Sequence, residues 1–193
     1  ALSFARTKAE SSAGTNPISI NDIVIVMPDD PNPVEKWAGR EMQMYLEKIS
    51  NQQIPIGPQS KFKPAKNTFP IYIGKTTRGK ALLDKKDQPG PDECFFEGGA
   101  DDGYLVIAGY DLPSQMDGPG KIRYRERPTP VKGISNRSSL GTCRGVWYIL
   151  REYGGVRWYM PGKVGQVVPQ SKTIQLPTEL PASIQPDFEI RSL

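Results

Sequence analysis

The fold is decided by residues 141–162, which read GTCRGVWYILREYGGVRWYMPG. The apolar positions of its first half recur at three- and four-residue spacing: Val146, Trp147, Ile149, Leu150 and Tyr153. This spacing predicts a helix from about Thr142 to Tyr153 that buries one apolar stripe. A helix with a single stripe must lie against a sheet or another helix, so the segment predicts a layered domain.

The second half of this segment predicts a helix stop followed by an aromatic strand. Gly154 follows the last turn, where a left-handed conformation is common and glycine adopts it without a steric penalty. Residues 156–159 have β-branched and aromatic strand character, and Pro161-Gly162 predicts a closing turn. Trp158 and Tyr159 are consecutive, so a strand places them on opposite faces. One of the two therefore needs a partner beyond the local core.

Length and composition predict one principal domain. A chain of 193 residues buries one core readily, and its 19 prolines and 19 glycines, with 37% hydrophobic residues, indicate many turns. No run of apolar residues is long enough to cross a bilayer, so we predict no membrane span. The net charge of +4 is scattered among 25 basic and 21 acidic residues, which argues against a nucleic-acid partner.

The residue types needed for several common catalytic groups are missing. The chain has no histidine, which excludes Ser-His-Asp and Cys-His arrangements and histidine metal sites. Paired acidic residues lie in apparent turns or in the tail: Asp29 with Asp30, Asp101 with Asp102, and Asp187 with Glu189. A hairpin turn is the simpler interpretation of Asp101-Asp102-Gly103. No nucleotide-binding glycine motif occurs. We therefore predict no catalytic residue, no metal and no cofactor in this chain.

The two cysteines, Cys94 and Cys143, lack metal-binding spacing, and zinc is not expected. Two interpretations of the pair stay open. They could form a long-range disulfide in an oxidising compartment, or each could be buried as a small apolar residue.

A basic cluster lies within a long polar segment. Arg123, Arg125 and Arg127 alternate with other residue types, as in a short strand or an extended loop. A solvated basic edge is one interpretation, and an anion-binding face for sugar carboxylates is the other. The surrounding segment 111–137 is rich in proline, glycine and charge. Because long loops inside domains are often functional, we expect specialised contacts there.

Hydrophobic period and turn residues organise the rest of the chain. Residues 1–16 are predicted to be disordered, residues 17–177 to form the domain, and residues 178–193 to lead out of it. Asn32, Pro33 and Glu35 form a helix-start signature for a helix that ends near Ser50. A short helix is predicted from Thr77 to about Leu83. Strands are predicted at residues 18–20, 23–27, 54–56, 69–74, 94–97, 104–108, 166–168 and 173–176.

Three segments carry a resemblance to a known kind of domain. They are the helix AGREMQMYLEKI at residues 38–49, the strand at residues 71–74, and the block 144–169 with GVRWYMPG and GQVVP. Over residues 18–191 the chain resembles the small α/β domain that precedes the catalytic barrel in family 67 α-glucuronidases and family 20 β-N-acetylhexosaminidases. The version in uncharacterised secreted bacterial proteins of glycoside hydrolase type is the most similar.

The resemblance implies an α/β (α+β) fold in which helices pack on a mixed sheet. It implies a noncatalytic accessory domain whose partner is a catalytic barrel, with Arg157, Trp158 and Tyr159 helping to seat the domain against it. The catalytic carboxylates of such proteins lie in the barrel, which these 193 residues do not include. Residues 178–193 would lead toward that barrel, and a secreted or periplasmic location is expected.

An alternative function belongs to the binding class. A stand-alone carbohydrate-binding module would use exposed aromatic residues and the edge formed by Arg123, Arg125 and Arg127 to bind acidic glycans. The insertion at residues 111–137 is longer than the usual link between strand and helix in the similar domains.

Overall fold

The computed structural model describes residues 14–86, 90, 92–111, 139–160 and 162–185, apart from the side chain of Lys163. The strands, in chain order, are β1 (Thr15–Ser19), β2 (Ile23–Met27), β3 (Ile56–Pro58), β4 (Phe69–Ile73), β5 (Cys94–Gly99), β6 (Tyr104–Gly109), β7 (Arg157–Trp158), β8 (Gln166–Val167), β9 (Thr173–Pro177) and β10 (Ser183–Ile184). The helices are α1 (Pro33–Ser50), α2 (Thr77–Asp84) and α3 (Gly141–Glu152).

Six of these strands form the central sheet, in the order β10-β5-β6-β4-β2-β3. The strands β3, β2, β4 and β6 run parallel to one another, whereas β5 pairs antiparallel with both β6 and β10. The sheet is therefore mixed. This arrangement confirms the general α+β class predicted from the sequence.

A helical layer covers each face of the sheet. Alternate side chains such as Ile25, Ile71 and Ile107 belong to the main core beneath α1 and α3. Leu82 of α2 packs with residues of the intervening positions, including Val106, in a smaller cluster on the other face. This division follows from the strand period of two, which sends successive side chains to opposite faces.

Helix α1 begins where the sequence predicts. Asn32 Oδ1 accepts a hydrogen bond from Glu35 N at 2.9 Å, and Glu35 Oε2 accepts one from Asn32 N at 2.7 Å, which together form a capping box. The helix ends at Asn51, whose φ of 56° is left-handed. The predicted helix from Pro33 to Ser50 is confirmed.

The C-terminus of α3 differs from the prediction by one residue. Tyr153 caps the helix, and the left-handed residue is Gly155, with a φ of 69°, rather than Gly154. Gly154 N donates to Ile149 O and Val156 N donates to Leu150 O. These bonds keep Gly154 against the last turn of α3, so the chain leaves the helix one residue later, at Gly155. The choice of Gly154 was wrong because two adjacent glycines can both adopt the left-handed conformation.

Two small sheets flank the central one. Strand β1 pairs antiparallel with β9, and β7 pairs antiparallel with β8. The aromatic strand predicted at residues 156–159 is thus reduced to Arg157 and Trp158. Strand β1 already starts at Thr15, and β10 adds to the central sheet beyond residue 177. Residues 1–13 and 186–193 lie outside the described residues.

Both cysteine thiols are free and buried. Cys94 begins β5, and Cys143 in α3 has its Sγ 3.4 Å from Val34 O. The structure therefore supports the second interpretation of this pair, in which each cysteine is buried as a small apolar residue. In the described part of the chain, no helix combines the length and apolar character of a membrane span.

A candidate binding cleft and an exposed hairpin

A cleft of about 760 Å³ opens on the outer side of α1 and α3. We call it the helical cleft, and it is lined by Glu41, Met44, Tyr45, Arg144, Trp147, Tyr148, Arg151, Trp158, Gln166, Ile184 and Gln185. Two helices supply its walls, and strands β7, β8 and β10 contribute at its margin. Trp158 is the residue singled out from the sequence that lines this cleft.

Glu41 holds two indoles in place along one wall. Its carboxylate accepts from Trp37 Nε1 at 3.3 Å and from Trp147 Nε1 at 3.2 Å. The two tryptophans meet edge to face, with ring centroids 5.5 Å apart. The carboxylate therefore joins α1 to α3, and it fixes the orientation of Trp147, which lines the cleft.

Trp158 attaches the β7–β8 hairpin to α1. Its Nε1 donates to Tyr45 Oη at 2.7 Å, and the two rings lie edge to face at 5.2 Å between centroids. Lys48 Nζ lies 4.7 Å from the centroid of the same tyrosine ring. An edge-to-face pair contributes about 0.5–1.5 kcal/mol beyond its buried area, so this contact orders the hairpin.

The next side chain along the hairpin faces solvent. Tyr159 directly follows β7 and is 74% exposed, whereas Trp158 packs against the core, so only the second of the two faces solvent. Other large apolar side chains near it are also exposed. The hairpin surface, as we name it, consists of Tyr159, Met160, Val164 and Val167, and Val164 reaches 94% exposure.

The Arg157 guanidinium contacts the backbone at the end of α3. Its Nη1 donates to the carbonyl oxygens of Arg151 and Val156. Arg151 lies in the last turn of α3, where a cation is favourable because the helix dipole is negative there. Arg157 thus ties the start of the hairpin to the end of α3.

Two further arginines line the helical cleft. Arg144 Nη2 is 3.2 Å from Asp92 Oδ2, and Arg144 Nε is buried without a hydrogen-bond partner among the described residues. Arg151 Nε is 2.6 Å from Glu152 Oε1 at an exposed position. The sequence did not single out Arg144 and Arg151 as site residues, because both lie inside a strong helical pattern. Only the fold brings them beside Trp158.

Several predicted positions lie outside the described residues. They are Arg123, Arg125 and Arg127, most of the segment 111–137, Pro161, and the pair Asp187 and Glu189. Nothing in the structure bears on the anion-binding role predicted for the three arginines, which stays a prediction.

The acidic pairs that are described occupy turns. Asp29 accepts hydrogen bonds from Ser60 N and Gln59 Nε2, and the pKa of its carboxyl is lowered first by the Ser60 side chain, then by Ser60 N, and least by Gln59. Asp101 accepts from Asn16 Nδ2, and the corner it occupies turns at Gly103, with a φ of 74°. The hairpin turn predicted for Asp101-Asp102-Gly103 is confirmed.

Two buried carboxylates serve helix N-termini at the carboxyl edge of the parallel strands. Glu35, besides its capping box, accepts from Lys75 N at 2.6 Å. Asp111 accepts from Thr142 N at 2.9 Å and from Thr142 Oγ1 at 2.6 Å. Burial raises the pKa of Asp111 to about 7, although the hydrogen bonds from Thr142 oppose that shift.

A search of the described side chains for metal-binding groups finds no cluster of three or more Cys, Asp or Glu residues. Comparison with known proteins yields no matching family model and no significantly similar curated protein. The candidate sites are therefore argued from their own geometry.

Proposed function

We propose that this chain is a noncatalytic accessory domain of a secreted or periplasmic carbohydrate-active glycoside hydrolase, and that its hairpin surface packs against the catalytic barrel of the parent protein. The sequence resemblance in residues 18–191 supplies the class of parent. The observation that carries the docking role is the group of exposed apolar side chains on the hairpin.

Two features of the hairpin surface support docking. Tyr159, Met160, Val164 and Val167 lie within one short hairpin and are each between 52% and 94% exposed. Soluble proteins seldom expose contiguous apolar patches of this kind unless they bind a partner. The hairpin is also fixed to the core by Trp158, so its surface is ordered before a partner arrives. An ordered surface loses little conformational entropy on docking.

The carboxylates support a noncatalytic role. A glycosidase needs two acidic groups that face each other across the scissile bond. Glu35 and Asp111, the buried acids, have their oxygens engaged by helix N-termini, and Glu41 is engaged by two indoles. These engagements leave the three side chains with structural roles.

Assaying the purified chain against aryl glycosides tests the noncatalytic part of the proposal. We expect no hydrolysis above the uncatalysed rate for aryl glucuronides or aryl N-acetylglucosaminides. Turnover that follows the folded protein through purification and disappears on denaturation would overturn the proposal.

The alternative function, a stand-alone module for acidic glycans, was predicted to use Arg123, Arg125 and Arg127. These residues lie outside the part of the chain that the structure describes, so that alternative stays a prediction. An accessory domain is favoured because the described structure offers an exposed apolar surface, which is typical of protein contacts rather than of a charged glycan.

A further inference from the structure

We infer that the helical cleft is a binding site for a saccharide that carries a carboxylate. This inference concerns a different surface from the hairpin surface and does not depend on the proposed docking. It rests on the size of the cleft, its aromatic lining and its two arginines.

The size and lining of the cleft suit a small oligosaccharide. Its volume of about 760 Å³ falls within the range typical of ligand pockets. Trp147, Tyr148 and Trp158 are half-buried, so each retains ring surface on the cleft side. An aromatic ring with one solvent-exposed face offers a flat apolar surface on which the apolar face of a sugar ring can stack.

The aromatic side chains are already held in position. Trp147 is fixed by Glu41, and Trp158 is fixed by Tyr45. Tyr148 packs against Phe96, with ring centroids 5.6 Å apart. A ligand therefore pays little to order these rings, which favours binding.

Polar side chains at the edge of the helical cleft can form hydrogen bonds with sugar hydroxyls. Gln166 Oε1 accepts from Lys48 Nζ at 3.5 Å, which leaves the amide NH₂ of Gln166 as a donor. Gln185 lies on the same lining. A few polar groups among aromatic walls are the usual means by which a pocket orients its ligand.

The two arginines select for a carboxylate. Arg144 and Arg151 are seven residues apart in α3, so they lie on one face of the helix about 10 Å apart along its axis. A guanidinium has five N–H donors, and among the described residues Arg144 uses one nitrogen, Nη2, on Asp92. Its Nε is buried beyond the reach of a ligand, so the donors that a ligand can contact on this 26% exposed side chain are those of Nη1 and Nη2. A ligand carboxylate supplies acceptors in the planar geometry that guanidinium prefers.

The carboxylates of Asp92 and Glu41 near the cleft each have a hydrogen-bond donor as partner, which reduces their repulsion of a ligand carboxylate. Asp92 is paired with Arg144, and Glu41 accepts from two indole N–H groups. Arg151 is paired only at an exposed position with Glu152. Exposed pairs of this kind are weak, so a ligand carboxylate can compete for Arg151.

Calorimetric titration tests the inference with a matched pair of probes. The first probe is a tetrasaccharide of uronate units, and the second is the same tetrasaccharide with its carboxyl groups reduced to alcohols. We expect the folded chain to bind the uronate, and to bind the reduced sugar at least tenfold more weakly, about the effect of losing one charged hydrogen bond.

Variants locate the site. Arg151→Gln removes an exposed guanidinium and leaves the fold intact, and we expect it to weaken uronate binding about tenfold. Arg144→Gln should do the same, with circular dichroism to verify folding. Arg78→Gln is the control, because Arg78 stacks on Tyr72 and Tyr104 on the opposite side of the sheet, and it should bind as the parent does.

Three results would overturn the inference: no heat at millimolar uronate, equal affinity for the reduced sugar, or undiminished binding by Arg151→Gln and Arg144→Gln. Aryl-glycoside hydrolysis by the chain would instead contradict the proposed function and leave this inference standing. The two failures are therefore distinguishable.

Discussion

Asp111 replaces the N-cap side chain that α3 lacks. Leu140 occupies the N-cap position and makes no side-chain hydrogen bond. Asp111 instead accepts from the backbone and hydroxyl of Thr142, and Thr142 Oγ1 accepts in turn from Gly109 N at 3.0 Å. The helix terminus favours a negative charge there, but burial disfavours it more, so the pKa of Asp111 rises to about 7.

The raised pKa of Asp111 predicts a loss of stability with rising pH. Between its ordinary value of 3.8 and about 7, the folded chain binds a proton that the unfolded chain has released. The stabilising contribution of this group is therefore fully present below about pH 3.8 and is lost as pH rises to about 7, a fall on the order of 4 kcal/mol in the free energy of unfolding from Asp111 alone. Urea unfolding at pH 4.5 and 7.5 measures the difference.

Asp111→Asn should remove most of that difference, because an amide does not titrate in this range. The matched control is Asp29→Asn. The pKa of Asp29 is lowered, so its contribution is lost only as pH falls, and its removal should leave the decline above pH 4.5 in place. Equal pH dependence in the parent and in Asp111→Asn would refute this account of Asp111.

Glu41 gives a second test at the residue scale. Glu41→Ala leaves the indole N–H groups of Trp37 and Trp147 without their acceptor, and it should lower the free energy of unfolding by about 1–3 kcal/mol. Glu152→Ala removes an exposed carboxylate paired with Arg151, and it should change stability by less than about 0.5 kcal/mol. Similar losses in both variants, by urea unfolding, would contradict the bridging role.

At the scale of elements, α3 packs closely on the central sheet because residue 145 is glycine. A Cβ at this position would overlap Cys94 Sγ and lie 2.6 Å from Ile107 Cγ2. Gly145→Ala should therefore destabilise the fold by about 1–3 kcal/mol, although alanine is the better helix former. Gly57→Ala is the control, since a Cβ there meets nothing within 4 Å.

A double-mutant cycle isolates this contact. Cys94→Ala removes the sulfur that the new methyl group meets, so Gly145→Ala should cost at least about 0.5 kcal/mol less in that background. Purely additive free energies of unfolding would show that α3 does not owe its position to this contact.

The elements that sequence predicts well are those whose signals are local. Helix α1 was predicted because Asn32, Pro33 and Glu35 are neighbours, and the cap needs no tertiary partner. The end of α3 was missed by one residue because Gly154 and Gly155 are locally equivalent. Strand β10 was not predicted at all, since a two-residue strand depends on its partner β5 rather than on its own composition.

The residues of the candidate site also fall into those that local sequence predicts and those that depend on tertiary packing. The sequence predicts that one of Trp158 and Tyr159 packs inward and the other does not, and their burial differs in this way although Tyr159 lies just past β7. The partner of Trp158 was not, because Tyr45 lies 113 residues away and fits the apolar stripe of α1 equally well as a core residue. The place of Arg144 and Arg151 in a cleft was likewise not predictable from the sequence, because the cleft forms only when α3 packs beside α1 and the hairpin.

At the scale of the whole molecule, the helical cleft and the hairpin surface share one anchor. Trp158 lines the cleft and also fixes the hairpin that carries Tyr159 and Val164. The hairpin surface is therefore held by the core through Trp158. We expect it to be covered in the parent protein by the catalytic barrel.

Carbene footprinting of side chains tests this central claim most directly, by comparing residues 1–193 alone with the complete polypeptide that the gene encodes. We predict that Tyr159 and Val164 are strongly labelled in the isolated chain and protected in the complete one. Ile56, an exposed side chain on edge strand β3, should be labelled equally in both. Equal labelling of Tyr159 and Val164 in the two proteins, or a reading frame without a barrel, would contradict the account.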